Sequence, residues 1–451
     1  MTKQQRRALT SGILGNSIEY YEFVIYGLAA ALVFPKVFFP ELTPAVGTIV
    51  SLATFAGAYV ARPVGALFFG HFGDKLGRRR ALIVTLLLMG GSTFLIGLLP
   101  SAAQIGSWAA VLLLVLRLVQ GFSLGGEYGG AILMAVEHAF PERRTLFGAI
   151  SASGLGWGSI LANLLFLALR ATLTEEQFLA WGWRVPFLLS ALLVGVCLYV
   201  RSQLEESPEF EVVQEVGAVK KAPIREILGS THGFRLLGII IMIAGAGSLY
   251  NVVNVFSLSY GQDRGLDTNV LLIGILALNV MAIIGYPFWG WVADRTGQRR
   301  KILIGAYAVV AITPWIWFPM INTGGAFVTI LAFVLIWIPH TALNGLLATT
   351  MAHIFPPNIR YTGVSVGFQG GSLLGSATAP LVAAWLFNSF GTWQPIAAYL
   401  TAGLVIATFA VYLTRERFET IDVESVTAES EEKTPSLPST PLSETRSVGS
   451  A

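Results

Sequence analysis

Apolar residues along this chain run in long blocks, broken by brief stretches that are charged or rich in glycine. Twelve blocks fall near 11–34, 45–70, 80–99, 107–137, 145–169, 185–201, 236–260, 270–293, 301–321, 324–354, 362–388 and 393–414. Each is long enough, or nearly so, for a helix crossing a hydrocarbon core of about 30 Å. Inside lipid a segment of this kind must satisfy its own backbone N–H and C=O groups, so each block predicts a helix. The pattern therefore predicts an all-α membrane protein with twelve transmembrane helices.

The blocks divide six and six. Residues 202–235 carry Glu205, Glu206, Glu209, Lys220, Lys221 and Arg225, and form the longest internal connection. The expected organisation is an N-terminal six-helix bundle (1–201), a cytoplasmic linker (202–235), a C-terminal six-helix bundle (236–414) and a cytoplasmic tail (415–451). The tail is acidic and rich in Ser, Thr and Pro, with too few large apolar residues to fold, so disorder is expected there. It contains no heptad run and hence no predicted coiled coil.

One short sequence occurs twice, each time where a block ends. The first copy is Gly70-His71-Phe72-Gly73-Asp74-Lys75-Leu76-Gly77-Arg78-Arg79-Arg80, the second Gly290-Trp291-Val292-Ala293-Asp294-Arg295-Thr296-Gly297-Gln298-Arg299-Arg300. Both read Gly-x3-Asp-[Lys/Arg]-x-Gly followed by basic residues. Duplicated membrane units are the architecture of secondary transporters. An acid at a helix end can bond to a facing helix, with glycines permitting close approach. Gly70, Asp74, Gly77, Arg78, Asp294, Arg295 and Gly297 are therefore expected to form gating latches, made in one state and broken in another.

Composition narrows the class. Hydrophobic residues make up 54% of the chain and charged ones 12%, which excludes an ordinary soluble enzyme. A net charge of +3 without a basic stripe gives no footprint for nucleic acid. No metal-ligand spacing, nucleophile motif or phosphate loop appears, so neither enzyme activity nor a cofactor is expected. The lone Cys197 lies in an apolar run and reads as a small buried hydrophobe. The basic start, Met1 to Arg7, leads into a segment containing Glu19 and Glu22 without a small-residue cleavage pattern, which predicts an uncleaved first span. Of the 29 Lys and Arg, Lys36, Arg170, Arg184 and Arg264 fall on one side of the predicted topology and Arg62 and Arg117 within spans. The remainder lie on the other side, which the positive-inside rule makes cytoplasmic, with both termini.

Charged groups inside a bilayer cost a few kcal/mol even on lenient scales and require a reason. The first half holds Glu19, Glu22, Arg62, Arg117 and Glu127, with Glu137 and His138 near a helix end, where gating or solvation is expected. At 100° per residue, Asn16, Glu19, Phe23 and Tyr26 share a stripe of span one with Glu22 at its edge, and Arg117, Gln120, Leu124 and Glu127 group on span four. Gly121, Gly125 and Gly129 form the opposite, packing face of span four. Burial favours a neutral carboxyl and a nearby guanidinium favours a charged one. Glu22, Arg117, Glu127 and Glu19 are therefore expected to couple protons to transport. The expected solute-binding set is Tyr26, Arg62, Arg117, Gln120, Tyr250, Asn251, Asn254 and Gln369, with Ser257, His340 and Asn344 as further polar candidates. One proton moving down about 100 mV supplies roughly 2.3 kcal/mol.

These residues resemble a known family. The paired motifs are similar to that of the major facilitator superfamily. Gly15-Asn16-Ser17-Ile18-Glu19-Tyr20-Tyr21-Glu22-Phe23 resembles the first-helix pattern of its metabolite:proton symporter family. Arg117-Leu118-Val119-Gln120-Gly121-Phe122-Ser123-Leu124-Gly125-Gly126-Glu127-Tyr128-Gly129-Gly130 resembles the fourth-helix pattern. Glu206-Ser207-Pro208-Glu209-Phe210, Trp183-Arg184-Val185-Pro186-Phe187 and Arg360-Tyr361-Thr362-Gly363 add to the likeness, which covers about 10–414. The first half is most similar to the shikimate permease branch. The resemblance implies the major facilitator fold and proton-driven symport of small organic acids or zwitterions. It also implies that Arg117 and Glu127 are the polar residues of helix four and that Asp74 with Arg78 forms the gate. Two departures stand out: Glu22 replaces the usual Asp, and Gln298 replaces a usual basic residue.

The expected function is uptake of a small organic acid with protons by alternating access in the cytoplasmic membrane. The expected partners are the small-molecule solute, the proton and the lipid bilayer, but no nucleic acid, and the chain is expected to act as a monomer. Competing readings are a proton-coupled exporter of drugs or cations, a betaine or proline symporter (disfavoured as an osmosensor by the missing coiled coil), and a membrane sensor.

Overall fold

The computed structural model describes residues 1–414, so the tail expected to be disordered lies outside the described residues. Among the described residues, twelve long helices account for the predicted spans. In the first half they are α1 (Lys3–Leu32), α2 (Pro44–Leu76), α3 (Arg78–Leu98), α4 (Trp108–Glu137), α5 (Arg144–Thr172) and α6 (Arg184–Ser202). In the second they are α7 (His232–Asp263), α8 (Thr268–Thr296), α9 (Arg299–Ile321), α10 (Ala326–Ile354), α11 (Arg360–Phe390) and α12 (Gln394–Leu413). Ten of these are long and apolar enough to cross a bilayer by length and composition. The other two, α1 and α2, have 30 and 33 residues.

Several boundaries differ from the sequence expectation for identifiable reasons. Helix α1 starts at Lys3 rather than residue 11, because Thr2 and Gln5 form a capping box that satisfies both local backbone N–H groups. The repeated motif is a helix end and not a loop. Helix α2 runs on to Leu76, and the single residue Gly77, at φ 108°, separates it from α3. Gly297, at φ 65°, plays the same part after α8. A side chain would strain either position, so glycine allows two helices to meet with almost no connection. Helices α7 and α11 each contain a π turn, at Val252–Phe256 and Ser372–Ala377.

The helices assemble as two pseudo-symmetric six-helix bundles. In the first, α1 packs on α5, α4 and α6, while α4 also packs on α2 and α3; in the second, α7 packs on α11 and α12, and α10 on α8 and α9. The bundles meet through α2 with α11 and α5 with α8, two equivalent pairs, and through α4 with α11 and α5 with α10. Between α6 and α7 lie two short helices, Pro208–Glu215 and Pro223–Leu228. Side chains such as Val64, Leu192, Ile284, Phe327 and Leu381 point outward, as suits an exterior solvated by lipid.

The glycine face of α4 sets the distance to its neighbours. A Cβ added at Gly121 would meet the backbone of Ala58, and one at Gly125 the backbone of Arg62 and Ala66, so α2 and α4 touch backbone to backbone. Gly129 instead faces Ser365 on α11, across the bundle boundary.

Candidate functional site

Both copies of the motif do the same physical work. The Asp74 carboxylate accepts hydrogen bonds from the backbone N–H groups of Tyr361 (3.0 Å) and Thr362 (2.8 Å), in the first turn of α11. Asp294 accepts from the N–H groups of Thr145 (3.1 Å) and Leu146 (2.8 Å), in the first turn of α5. The first N–H groups of a helix lack intrahelical partners and carry the positive end of its dipole, so a carboxylate from the opposite bundle caps them. The glycine four residues earlier makes room. A Cβ on Gly70 would lie 2.8 Å from the Thr362 Cα, and one on Gly290 would lie 3.0 Å from the Leu146 Cα.

The cations of the two copies diverge. Arg78 is buried, with Nε 3.3 Å from Glu137 and Nη2 donating to the Pro357 carbonyl at 2.6 Å. Arg295 does not join the second latch: it is exposed and lies over the Trp291 ring of its own helix, at 5.3 Å. Arg299 takes that place instead, donating to the Thr145 hydroxyl at 3.2 Å with Nη2 2.9 Å from His353 Nδ1. The sequence-based choice of Arg295 fails because α8 stays helical to Thr296, and that register turns residue 295 away from α5.

A charged network surrounds these latches at the same face of the bundle. Arg360, at the start of α11, bonds Glu137 at 3.0 Å and also pairs with Glu209, on the short helix between the bundles. Glu209 is 2.9 Å from Arg144, at the start of α5, so one carboxylate joins both halves. Glu137 accepts from the Ser207 hydroxyl, and Glu206 accepts from the N–H groups of Arg78 (2.9 Å) and Arg79 (3.2 Å). Sequence reasoning chose neither Arg144, Glu209, Arg299 nor Arg360 as site residues. A signal was present: His138-Ala139-Phe140-Pro141 and His353-Ile354-Phe355-Pro356 each precede an arginine that opens a helix at the boundary, Arg144 and Arg360. At the opposite face Lys36 lies 2.5 Å from Glu175, and that bond holds the Glu175 carboxyl below its ordinary range.

Midway through the bundle a cavity lies between the halves. Glu19, Tyr20 and Phe23 of α1 and Tyr59 and Arg62 of α2 form one side. Tyr250 and Asn251 of α7, Asn344 of α10, and Ser372 and Ser376 of α11 form the other. Tyr128 of α4 and Phe368 of α11 also line it, stacked across the bundle boundary with ring centroids 3.7 Å apart at 16°. Beside that stack, Gln369 Nε2 donates to the Leu124 carbonyl (3.1 Å) and the Tyr361 hydroxyl to the Gly126 carbonyl (2.9 Å). By a rise of about 1.5 Å per residue, Tyr128 and Phe368 sit between the cavity and the charged face.

Of the predicted binding residues, Arg62, Tyr250 and Asn251 line this cavity; Tyr26, Arg117, Gln120, Asn254 and Gln369 do not. The last is engaged at the α4–α11 crossing, and Asn254 Nδ2 donates to the Tyr250 carbonyl at 2.8 Å. The other three belong to a separate buried cluster within the first bundle. There Glu22 accepts from Thr93 Oγ1 (2.6 Å) and Gln120 Nε2 (3.3 Å). Arg117 donates to Gln120 Oε1 and stands 3.9 Å above the Tyr26 ring, whose hydroxyl is 2.8 Å from Thr54 Oγ1.

Glu127 lies in neither place. It pairs with Arg201 of α6 and accepts from the Thr85 hydroxyl at 2.7 Å. Glu22 and Arg117, expected to couple protons together with Glu127, are therefore held apart from it. The ten residues from Arg117 to Glu127 carry the chain about 15 Å along the axis and turn it 80° short of three full revolutions. Of the four acids and bases expected to couple protons, Glu19 alone faces the cavity.

The sequence profile of the Major Facilitator Superfamily matches residues 23–370 and 280–448. The chain is 39% identical over 422 residues to the inner membrane metabolite transport protein YhjE of Escherichia coli (strain K12), covering 91% of this chain and 94% of that one. It is 37% identical over 417 residues to the shikimate transporter of the same organism, at 91% and 94% coverage. It is 33% identical over 420 residues to the proline/betaine transporter of that strain, at 89% and 81% coverage. Among solved structures it resembles the proton:xylose symporter XylE bound to 6-bromo-6-deoxy-D-glucose, with a TM-score of 0.74 and 16% identity over 94% of this chain and 99% of that one.

Proposed function

This chain belongs to the major facilitator superfamily, and we propose that it takes up a small carboxylate-bearing metabolite together with protons across the cytoplasmic membrane. It is a multi-pass membrane transporter of metabolites and not an enzyme. In this reading residues 1–201 and 236–414 rock against each other about the central cavity, joined by 202–235. The solute binds in the cavity with its carboxylate on Arg62. The Asp74 and Asp294 latches close the face that carries the basic segments, which is cytoplasmic by the positive-inside rule together with both termini. One chain contains the whole cavity and acts as a monomer.

The observation that carries the coupling is the setting of Glu22. Its carboxyl is 1% exposed, bonds to the neutral donors Thr93 and Gln120, and leaves Oε1 without a partner. Arg117 reaches it through Gln120. A buried carboxyl held by neutral groups is suited to gaining and losing a proton, because its charged form is costly there. Rocking of α1 against α4 would change the distance to Arg117 and so tie protonation to the open face.

Reconstitution into proteoliposomes tests this reading. An acid exterior should drive solute accumulation, and accumulation that ignores the imposed pH gradient would remove proton coupling.

A further inference from the structure

We propose that His353 is a regulatory proton site in the Asp294 latch: a proton taken up there from the cytosol loosens the latch and holds the protein open toward that side. This rests on the reading of the latches as a gate at the cytoplasmic face. His353 is the second-last residue of α10 and is 2% exposed. Its Nδ1 lies 2.9 Å from Arg299 Nη2. Arg299 also donates to the hydroxyl of Thr145, the residue whose N–H is bonded to Asp294. A guanidinium has hydrogens to give and no lone pair to accept with, so Nδ1 must be an unprotonated acceptor. The closed latch therefore contains a neutral imidazole, and its Nε2 is buried without a hydrogen-bond partner.

The first latch is built differently. Arg78 has the Glu137 carboxylate beside its Nε at 3.3 Å, and His138, the residue after α4, bonds by Nδ1 to the Met134 carbonyl of its own chain turn at 3.0 Å. In the second half Ala352-His353-Ile354-Phe355-Pro356 stands where Glu137-His138-Ala139-Phe140-Pro141 stands in the first, and the histidine itself meets the arginine. A carboxylate paired with arginine keeps its charge near neutral pH, whereas an imidazole changes charge there. Protonation of His353 would remove an acceptor of Arg299 and place a second cation 2.9 Å from it. Arg144 of α5 and Arg360 of α11 also repel a positive charge on the ring. The acids nearby are already engaged: Glu209 by Arg144 and Arg360, Glu137 by Arg360, and Asp294 of α8 by the N–H groups of Thr145 and Leu146. From α7, Arg235 bonds the carbonyl of the next residue, Ile354. The closed latch thus shuts the proton out. Once the face opens, water reaches the ring, which then titrates near the ordinary histidine value of about 6.5. Closure is therefore favoured above that pH and lost below it, with the closed-to-open ratio changing by at most about tenfold per pH unit for one proton. A carrier that brings protons inward would so slow its own return when the interior turns acid.

The full chain in lipid nanodiscs tests this without any solute. Nitroxide labels at Ser202→Cys on α6 and Thr296→Cys on α8, both exposed, report the separation of the bundles at the latch face by pulsed electron resonance in a Cys197→Ser background. Between pH 8 and pH 6 the open-to-closed ratio should rise at least about fivefold in this labelled parent, within the limit set by one proton. In His353→Asn it should change less than about twofold, because the amide oxygen replaces the Nδ1 acceptor and takes up no proton. His353→Gln, read in the same way, decides the matter where the asparagine variant does not fold. His138→Asn should keep the parent's response. A parent that ignores pH overturns the proposal, and so does a neutral His353 variant that responds as steeply as the parent. Labelling of Thr296→Cys in intact spheroplasts by an impermeant maleimide overturns the cytosolic source of the proton. The measurement needs neither solute nor gradient, so it stays distinct from the transport reading. A pH-blind latch leaves proton-driven uptake in proteoliposomes standing, and uptake that ignores the gradient leaves the His353 site standing.

Discussion

Asp74 and Asp294 hold equivalent positions in the two bundles, and each caps the first turn of a helix that belongs to the other bundle. The two latches differ in what surrounds them. Asp74 is fully buried beside Arg78 and the Glu137–Arg360–Glu209 network, whereas Asp294 is half-buried with Arg299 nearby. The first latch is therefore the stronger, since charge-assisted bonds gain strength away from water.

Replacing Asp74 with Ala removes two bonds worth about 1.5–3 kcal/mol each when one partner is charged. The face that carries the latches should then open more than tenfold more often. A cysteine introduced at Gln369, with Cys197 changed to Ser, should be labelled faster from that face in Asp74→Ala, and less so in Asp294→Ala. Equal rates in both variants and in the parent would contradict the latch.

Glu209→Ala takes away the carboxylate shared by Arg144 and Arg360. Breaking a buried pair costs about 3–5 kcal/mol. The expected result is a clearly lower melting temperature in detergent, with Glu209→Gln falling between the variant and the parent.

Glu22→Gln keeps the hydrogen-bonding shape of the side chain and fixes it in a neutral state. Accumulation driven by a pH gradient should be lost, while exchange of labelled for unlabelled solute at equal concentrations continues. Loss of exchange together with accumulation would mark Glu22 as structural.

The stacked rings of Tyr128 and Phe368 line the cavity on the side of the charged face. An aromatic pair contributes about 0.5–1.5 kcal/mol beyond the area it buries. Phe368→Ala should therefore raise solute-independent proton entry into liposomes severalfold, read with an internal pH dye, and Phe368→Tyr should restore the seal.

Gly125→Val places a branched side chain against the backbone of Arg62 and Ala66. Helices α2 and α4 would have to part, which displaces Arg62 from the cavity wall. Reduced yield of folded protein is expected, together with weaker binding in whatever fraction folds.

Much of this protein is written locally in its sequence. Windows of apolar residues determine the twelve helices, because the bilayer requirement acts on each segment independently. The duplicated Gly-x3-Asp pattern marks both contacts between the bundles, because the chemistry needs only a small residue and an acid one helical turn apart. The network residues Arg144, Glu209 and Arg360 were harder to find, since they lie far apart in the chain and meet only where three helix ends converge.

What the intramembrane charges touch was decided by packing. Periodicity placed Glu19 and Glu22 near one another on α1, yet Glu19 faces the cavity while Glu22 turns toward Thr93 and Gln120. It also grouped Arg117 with Glu127, which pairs instead with Arg201 on a helix the periodicity of α4 says nothing about. Sequence alone determines that a helix carries a polar face, because that follows from spacing along one strand of chain. Only the tertiary structure decides what the face meets, because glycine contacts such as Gly125 against Arg62 and Ala66 fix how neighbouring helices turn toward each other.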